Sequence, residues 1–363
     1  MKIWKIDDSN KFFNEILDLN EDSLKSAIDS KEEYYRELKK IKKKNGYREI
    51  YIINKEHDLY KLQKNICINF LNNIMISDAS YGFRKKSNYI EYLYSHTDFY
   101  KEKYYLRLDI KDFFGSIDYE ILKECLEYYF EENENLDGKR KEELLEYTID
   151  ILTYNNKIIQ GAPSSPVISN ILFRQLDIRI IRYCRQLGIT YTRYADDLLF
   201  SSHNNLLHKK SFIIGIKKIL ASKNFDLNYD KIIRGHKQIS LNGYVISDSI
   251  RLSRKKLSDL NRVLFCIDKN NIQKEVNNEN KINISGDYLS QLNVDLIKYK
   301  RNSKRIEYKR KEKIVSKEDL INYLTGNRAF LISVLKYCDD EKYIKKMKRM
   351  INKIENIILD IDC

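Results

Sequence analysis

Two adjacent aspartates, Asp196 and Asp197, lie between short runs of apolar and β-forming residues, Tyr191-Thr192-Arg193 with Tyr194-Ala195 before them and Leu198-Leu199-Phe200 after. The pattern predicts strand, tight turn, strand, with both carboxylates exposed at the turn. Like charges a few ångströms apart repel and raise each other's pKa, so such a pair demands a positive partner. A divalent metal supplies one. A third carboxylate stands in a comparable setting upstream, in Tyr104 to Ile110. There the period-two alternation sends Leu106, Leu108 and Ile110 to one face and Tyr105, Arg107 and Asp109 to the other. An isolated Asp-Asp pair is an ordinary solvated turn. Two strand-borne carboxylate sites in one sheet instead offer what a pair of hard cations needs: oxygen ligands, open water positions and room for phosphates. This is nucleotidyl-transfer chemistry, in which one ion activates a 3′-hydroxyl and the other holds the triphosphate and the leaving pyrophosphate.

Between these sites runs Gln160-Gly161-Ala162-Pro163-Ser164-Ser165-Pro166, which contains both prolines of the chain. Ser165 as N-cap with Pro166 at the first helical position signals a helix start. Ile168, Ile171, Leu172, Cys184 and Leu187 then form an apolar stripe and Gly188 supplies a stop, which predicts a helix over about 166–187. The start of that helix, with Gly161 allowing close backbone approach, is a natural seat for a base pair or a phosphate.

Leu108-Asp109-Ile110-Lys111-Asp112-Phe113-Phe114, Gln160 to Pro166, and Tyr194 to Asp197 resemble, in order and spacing, motifs A, B and C of reverse transcriptases, and specifically the bacterial retron and retron-like defence group. Asn228 and Lys231 resemble the motif that brings a lysine to the triphosphate. Lys42 to Arg48 resembles the fingers segment that grips the incoming nucleotide, and Ser80-Tyr81-Gly82-Phe83-Arg84 the segment that tracks the template. The resemblance implies an α/β (α+β) right-hand polymerase: fingers at 1–100, an antiparallel-sheet palm with the catalytic carboxylates at 101–247, and a primer-grip region and helical thumb at 248–363. It makes Asp109, Asp196 and Asp197 catalytic and, with Ile110, ligands for two Mg²⁺ ions, Mn²⁺ being a substitute. It assigns nucleotide binding to Lys44, Arg48, Phe114, Gln160 and Lys231. Nucleic-acid contact falls to Arg84, Gly161, Pro163, Arg251 and Arg254.

Phe114 would be a gate whose ring clashes with a 2′-hydroxyl, favouring deoxynucleotides; its other reading is plain core. Lys231 would give a proton to pyrophosphate. Asp112 and Asp118 are assigned to solvent or helix capping, and Lys42 and Lys43 read equally as a solvated basic loop.

Two segments depart from the retron pattern. Tyr92-Leu93-Tyr94-Ser95-His96 keeps only the histidine of an Asn-Ala-x-x-His segment, and Leu241-Asn242-Gly243 stands where a Val-Thr-Gly segment is usual. A related antiphage reverse transcriptase outside the true retrons therefore fits as well. The implied partners are a structured noncoding RNA template, an RNA/DNA duplex product and dNTPs, with an effector protein or a second copy of the chain as further candidates. Two other functions stay open: a defence polymerase making repetitive or untemplated DNA, and a catalytically silent RNA-binding scaffold.

The remaining signals are coarser. With 66 Lys plus Arg against 53 Asp plus Glu, the formal charge of +13 suits a polyanionic partner. Basic residues interleave with tyrosines across 298–311, a pattern that joins phosphate contact to base stacking or forms a solvated helix face. No apolar run reaches the length of a membrane span, the start of the chain turns charged at once, and the six cysteines form no Cys-x-x-Cys pair. A cytoplasmic protein with reduced thiols is expected. Leu59, Leu62, Ile66 and Phe70 mark a helix in mostly helical fingers. The palm should continue with a helix from Asp118, another near 208–222 and a strand near 240–246. Asn270 to Asn283 reads as a linker, and Ser316 to Asp319 as a capping box opening a helix with Leu320, Leu324, Leu331 and Leu335 on its apolar face.

Overall fold

The computed structural model describes residues 5–43, 46–269, 289–294, 296 and 314–362. The chain divides into two compact units, residues 1–95 with 104–235 and residues 96–103 with 236–363.

The first unit carries, in chain order, strands β1 (Tyr35–Lys43), β2 (Gly46–Ile53), β3 (Tyr104–Asp109), β4 (Thr153–Tyr154), β5 (Lys157–Ile158), β6 (Thr190–Tyr194), β7 (Asp197–Ser202) and β8 (Ile233–His236). Strands β6, β7, β3 and β8 form one four-stranded sheet in that order. β3 pairs antiparallel with β7, and β7 with β6, so the expected α+β class with an antiparallel sheet is found. Leu106, Leu108, Leu198 and Phe200 of the sheet lie in one buried core with Phe173, Leu176 and Ile180 of the long helix Ser165–Gln186 and Phe212, Ile216 and Leu220 of the helix Lys210–Ala221. Burial of these side chains, at roughly 1.5–3 kcal/mol each, is what holds sheet and helices together.

Several local signals operate as expected. Asp118 accepts from the Ile121 N–H and caps the helix Tyr119–Leu126. Leu59, Leu62 and Ile66 are buried in the helix Asp58–Asn69, and Phe70 closes it. Gly188 (φ +64) ends the long helix: its N–H reaches the Arg185 carbonyl at 3.3 Å while the Ile189 N–H reaches that of Cys184 at 2.9 Å. That pair of bonds is the Schellman arrangement. At the other end the prediction shifts by one residue. The cap position belongs to Ser164, and the Ser165 hydroxyl instead donates to the Ile159 carbonyl at 2.8 Å, pinning the preceding loop.

Two segments differ from the sequence reading. The expected mostly helical region before residue 100 contains the β1–β2 hairpin. Its first strand is mostly charged and its apolar Leu38 and Ile41 are three residues apart, so no strand-like alternation marks it. In the second unit the single strand expected near 240–246 is a hairpin of β9 (Ile239–Leu241) and β10 (Tyr244–Ile246), joined by β11 (Ile250–Leu252). Asn242 (φ +48) and Gly243 (φ +90) both take left-handed conformations and make the turn.

Helices Arg254–Lys269, Lys317–Leu335 and Glu341–Asp362 also lie in that unit. Ser316 and Asp319 form the expected capping box. Leu320, Leu324 and Leu331 are buried, while Val334 takes the buried place expected of Leu335. The linker expected at 270–283 and the basic run at 298–311 lie outside the described residues. Among the described residues, Cys67, Cys125, Cys184, Cys266 and Cys338 are free thiols, and no helix is long and apolar enough to cross a membrane.

A fully buried ion pair lies beneath the sheet. Arg193 of β6 and Asp177 of the long helix meet at 2.9 Å with both side chains wholly buried. The Tyr191 hydroxyl donates to Asp177 at 2.7 Å, Arg193 also donates to Asn170 at 3.0 Å, and its guanidinium lies over the Phe173 ring at 4.5 Å. Removing one charge strands the other in a dry interior. Asp177→Ala should therefore lower the unfolding free energy by about 3–5 kcal/mol. The measurement is the urea transition followed by circular dichroism.

Candidate active site

The turn between β6 and β7 is two residues long, because Tyr194 and Asp197 face each other across the ladder and only Ala195 and Asp196 lie between them. Ala195 holds φ +54, a conformation that glycine adopts without steric cost and alanine does not. The surroundings keep it there. Arg193 donates to the Ala195 carbonyl at 3.2 Å, and Gly82 packs so closely that a Cβ on it would lie 2.6 Å from the Ala195 nitrogen. The Tyr81 N–H bonds the Arg193 carbonyl at 2.8 Å, and Asn170 donates to the Gly82 carbonyl at 2.8 Å. The segment resembling a template tracker is thus bolted to the carboxylate turn.

The pairing register sets Asp109 opposite Asp197. The Ile110 N–H donates to the Asp196 carbonyl at 3.0 Å and the Asn228 N–H to the Asp109 carbonyl at 2.8 Å. These backbone bonds bring the side chains of Asp109, Asp196 and Asp197 together, with one carboxylate oxygen of each within 4.8 Å of the others. The sequence placed Asp109 on a polar face, yet the residue is only 2% exposed, because two cations cover it. Lys231 Nζ lies 2.8 and 3.0 Å from its two oxygens. Arg107, two residues earlier on β3, reaches Asp109 at 3.2 Å and also pairs closely with Asp197.

Electrostatics follow from that enclosure. Burial pushes the Asp197 carboxyl up to about 6, with Arg107 pulling it down and Asp196 adding to the rise. Asp196 is also held above the usual carboxylate range, by burial first and the Asp109 charge second. For Arg107 burial opposes the charge, but Asp197 and Asp109 outweigh it and keep the guanidinium firmly protonated. Two cations against three carboxylates leave the cluster short of positive charge. Hard oxygen donors, converging and partly dehydrated, suit Mg²⁺ or Mn²⁺ rather than a softer metal; the residues present fit such ions.

The other expected site residues are dispersed. Phe114 is half-buried, its ring 5.3 Å from that of Phe113 and 6.2 Å from that of Phe83. Gln160 and Pro163 are half-buried and Gly161 is exposed at φ +104; among the described residues, no hydrogen bond or ion pair joins them to the carboxylates. Arg84 is exposed and 3.7 Å from Asp78. Arg251 pairs with Asp248 at 2.7 Å and Arg254 is exposed, both in the second unit. Lys44 lies outside the described residues, as does the side chain of Arg48.

Sequence reasoning placed Arg107 on the Asp109 face but gave it no role. Its signal was the parity of the strand, since residues two apart share a face. Asp177 and Asn170 were missed because polar residues inside a helix give no periodic signal.

Two sets of outcomes are expected here, one for pH and one for the turn. Protons compete with cations for Asp197, so Mn²⁺ affinity measured by titration calorimetry should fall by about tenfold for each pH unit below about 6 and level off above it. A raised carboxyl pKa also means that the folded state binds the proton more tightly than the unfolded chain. The contribution of Asp197 to stability is therefore greatest at low pH and is lost as pH rises from the usual carboxylate range to about 6. Secondly, Gly82→Ala must displace the Asp196 turn, and it should weaken Mn²⁺ binding at least tenfold while leaving the circular dichroism spectrum intact.

Residues 41–246, more than half of the chain, match the family model described as reverse transcriptase (RNA-dependent DNA polymerase). Among curated proteins, the chain is 28% identical over 214 residues to the retron Ec86 reverse transcriptase of Escherichia coli, a match covering 58% of this chain and 62% of that protein. It is 31% identical over 166 residues to the Escherichia coli retron Ec73 reverse transcriptase, covering 45% and 51%. With the Mx65 retron reverse transcriptase of Myxococcus xanthus it shares 29% over 171 residues, covering 44% and 40%. The chain thus spans about half the length of the curated relatives it matches. Among solved structures, a telomerase from Candida albicans in complex with a fragment of telomeric RNA aligns with a TM-score of 0.46 at 14% identity, covering 93% of this chain and 66% of that one. The matched range includes β3, the long helix and the β6–β7 turn, and the chain belongs to the reverse transcriptase (RNA-dependent DNA polymerase) family.

Proposed function

We propose that the chain is an RNA-directed DNA polymerase that extends a primer by nucleotidyl transfer, copying a structured noncoding RNA into DNA. The observation that carries this reading is the convergence of Asp109, Asp196 and Asp197 within 4.8 Å in one antiparallel sheet. Asp109 and Asp196 would be the main ligands of two divalent ions, Mg²⁺ with Mn²⁺ as substitute, with Asp197 as their companion and Ile110 contributing through its carbonyl. When bound, the ions supply Lewis-acid activation of the 3′-hydroxyl and charge neutralisation at the triphosphate and pyrophosphate. Arg107 holds Asp197 and Asp109 in register. Lys231 places its amine beside Asp109, from where it serves the leaving pyrophosphate. Lys44, Arg48 and Gln160 contact the nucleotide, and Phe114 excludes the 2′-hydroxyl.

Residues 1–100 are read as fingers, 101–247 as palm and 248–363 as primer grip and thumb, with Arg84, Gly161, Pro163, Arg251 and Arg254 on the nucleic acid. The setting read for the chain is antiphage defence in the cytoplasm; similarity to retron reverse transcriptases supports the retron-type reading, and the formal charge of +13 supports a polyanionic partner. The Asn242-Gly243 turn, which occupies the place of a retron Val-Thr-Gly segment, also leaves room for a related defence enzyme outside the true retrons.

The test is to purify the protein with its bound nucleic acid, add labelled dNTPs and Mg²⁺, and sequence both the RNA and the product. DNA complementary to one bound RNA is expected, and it should vanish in the Asp196→Ala, Asp197→Ala double variant. Repetitive DNA without a complement would make the chain an untemplated polymerase, and bound RNA without product across several primers would make it a scaffold.

A further inference from the structure

Phe83 is built in an unusual way. It is a bulky residue with φ +59, a left-handed conformation that costs a non-glycine residue roughly 1–2 kcal/mol, and its side chain is nonetheless 48% exposed. Neither burial nor backbone comfort accounts for an aromatic ring at this position. Its neighbours do. The preceding Gly82 is wedged against the Ala195 nitrogen and held by Asn170, and Tyr81 is bonded to β6, so the conformation of Phe83 is imposed by a rigid mount on the carboxylate turn. The ring lies 6.2 Å from that of Phe114 at an angle of 44°, within the range of aromatic contact. Phe114 also packs against Phe113, at 5.3 Å and 64°. Phe113 is itself locked in the core between Phe173 and Phe225.

We propose that Phe83 is a positioning residue for sugar selection, packing with Phe113 against the Phe114 ring so that Phe114 cannot swing aside to admit a 2′-hydroxyl. A lone half-buried ring has a second rotamer within thermal reach. With Phe83 fixed to the same turn that carries Asp196, the gate keeps a constant distance from the reacting centre. The backbone strain at Phe83 then purchases selectivity, the kind of role in which strained residues persist. The inference rests on the reading of Phe114 as the gate.

The experiment measures kcat and KM for dCTP and CTP on a defined RNA template with an annealed DNA primer, for the wild type, Phe83→Ala, Phe83→Leu, Phe114→Ala and the double variant Phe83→Ala, Phe114→Ala. Phe83→Ala should lower the deoxy-over-ribo ratio of kcat/KM about tenfold, through a lower KM for CTP rather than a poorer reaction of dCTP. Phe83→Leu keeps bulk at the site and should fall between it and the wild type. The double variant should discriminate no worse than Phe114→Ala alone, because Phe83 acts only through that ring. An unchanged ratio in Phe83→Ala, a loss confined to kcat for both nucleotides, or additive losses in the double variant would overturn the proposal. An unchanged ratio in Phe114→Ala would instead overturn the gate reading on which it stands.

Discussion

Three carboxylates with oxygens inside 4.8 Å of one another are the constraint around which the first unit is organised. At an effective dielectric constant near 20, two unit charges 4 Å apart cost about 4 kcal/mol, and burial of Asp109 raises the demand for compensation. The fold answers with Arg107, carried on the same strand as Asp109, and with Lys231, delivered by the segment whose Asn228 N–H bonds the Asp109 carbonyl. Both cations make direct contact with carboxylate oxygens. Under the proposed function, the same residues are placed to trade their carboxylate partners for a triphosphate as substrate and ions enter.

Holding such a cluster requires stiffness beneath it. The Arg193–Asp177 pair, fully buried and joined by Tyr191 and Asn170, ties β6 to the long helix, and Asn170 extends the tie to Gly82. A buried ion pair adds little net stability compared with apolar packing, but its directional bonds allow one arrangement only. Here that arrangement fixes Ala195 in a left-handed turn and so aims Asp196. Positional accuracy at the carboxylates is therefore set by polar groups far from solvent, while the surrounding apolar core supplies most of the stability.

The sequence made the carboxylates legible because strand parity and turn chemistry are local. Leu106, Leu108 and Ile110 are buried as alternation requires, and the Asp196 turn falls between two strands as its flanks imply. Helix caps at Asp118 and Ser316 were equally readable. What escaped was mostly nonlocal. β1 gains its identity by pairing with β2, not from an apolar face of its own. Arg107 acquires a role only when β7 arrives beside it, and Asp177 only when Arg193 does. Asn242-Gly243 carried a turn signal that the reading of 240–246 as one strand overlooked. The residues assigned to nucleotide and nucleic acid by resemblance, such as Gln160 and Arg254, are half-buried or exposed, and their expected partners are ligands rather than other side chains.

The claim that this cluster is built to hold divalent cations is tested most directly by anomalous diffraction from crystals soaked in Mn²⁺ with a primer–template and a non-hydrolysable dNTP. The account predicts two anomalous peaks, each ligated by Asp109 and Asp196, with Lys231 moved off Asp109. Crystals that bind the nucleotide yet show no peak at the cluster, with Arg107 and Lys231 still paired to the carboxylates, would contradict it.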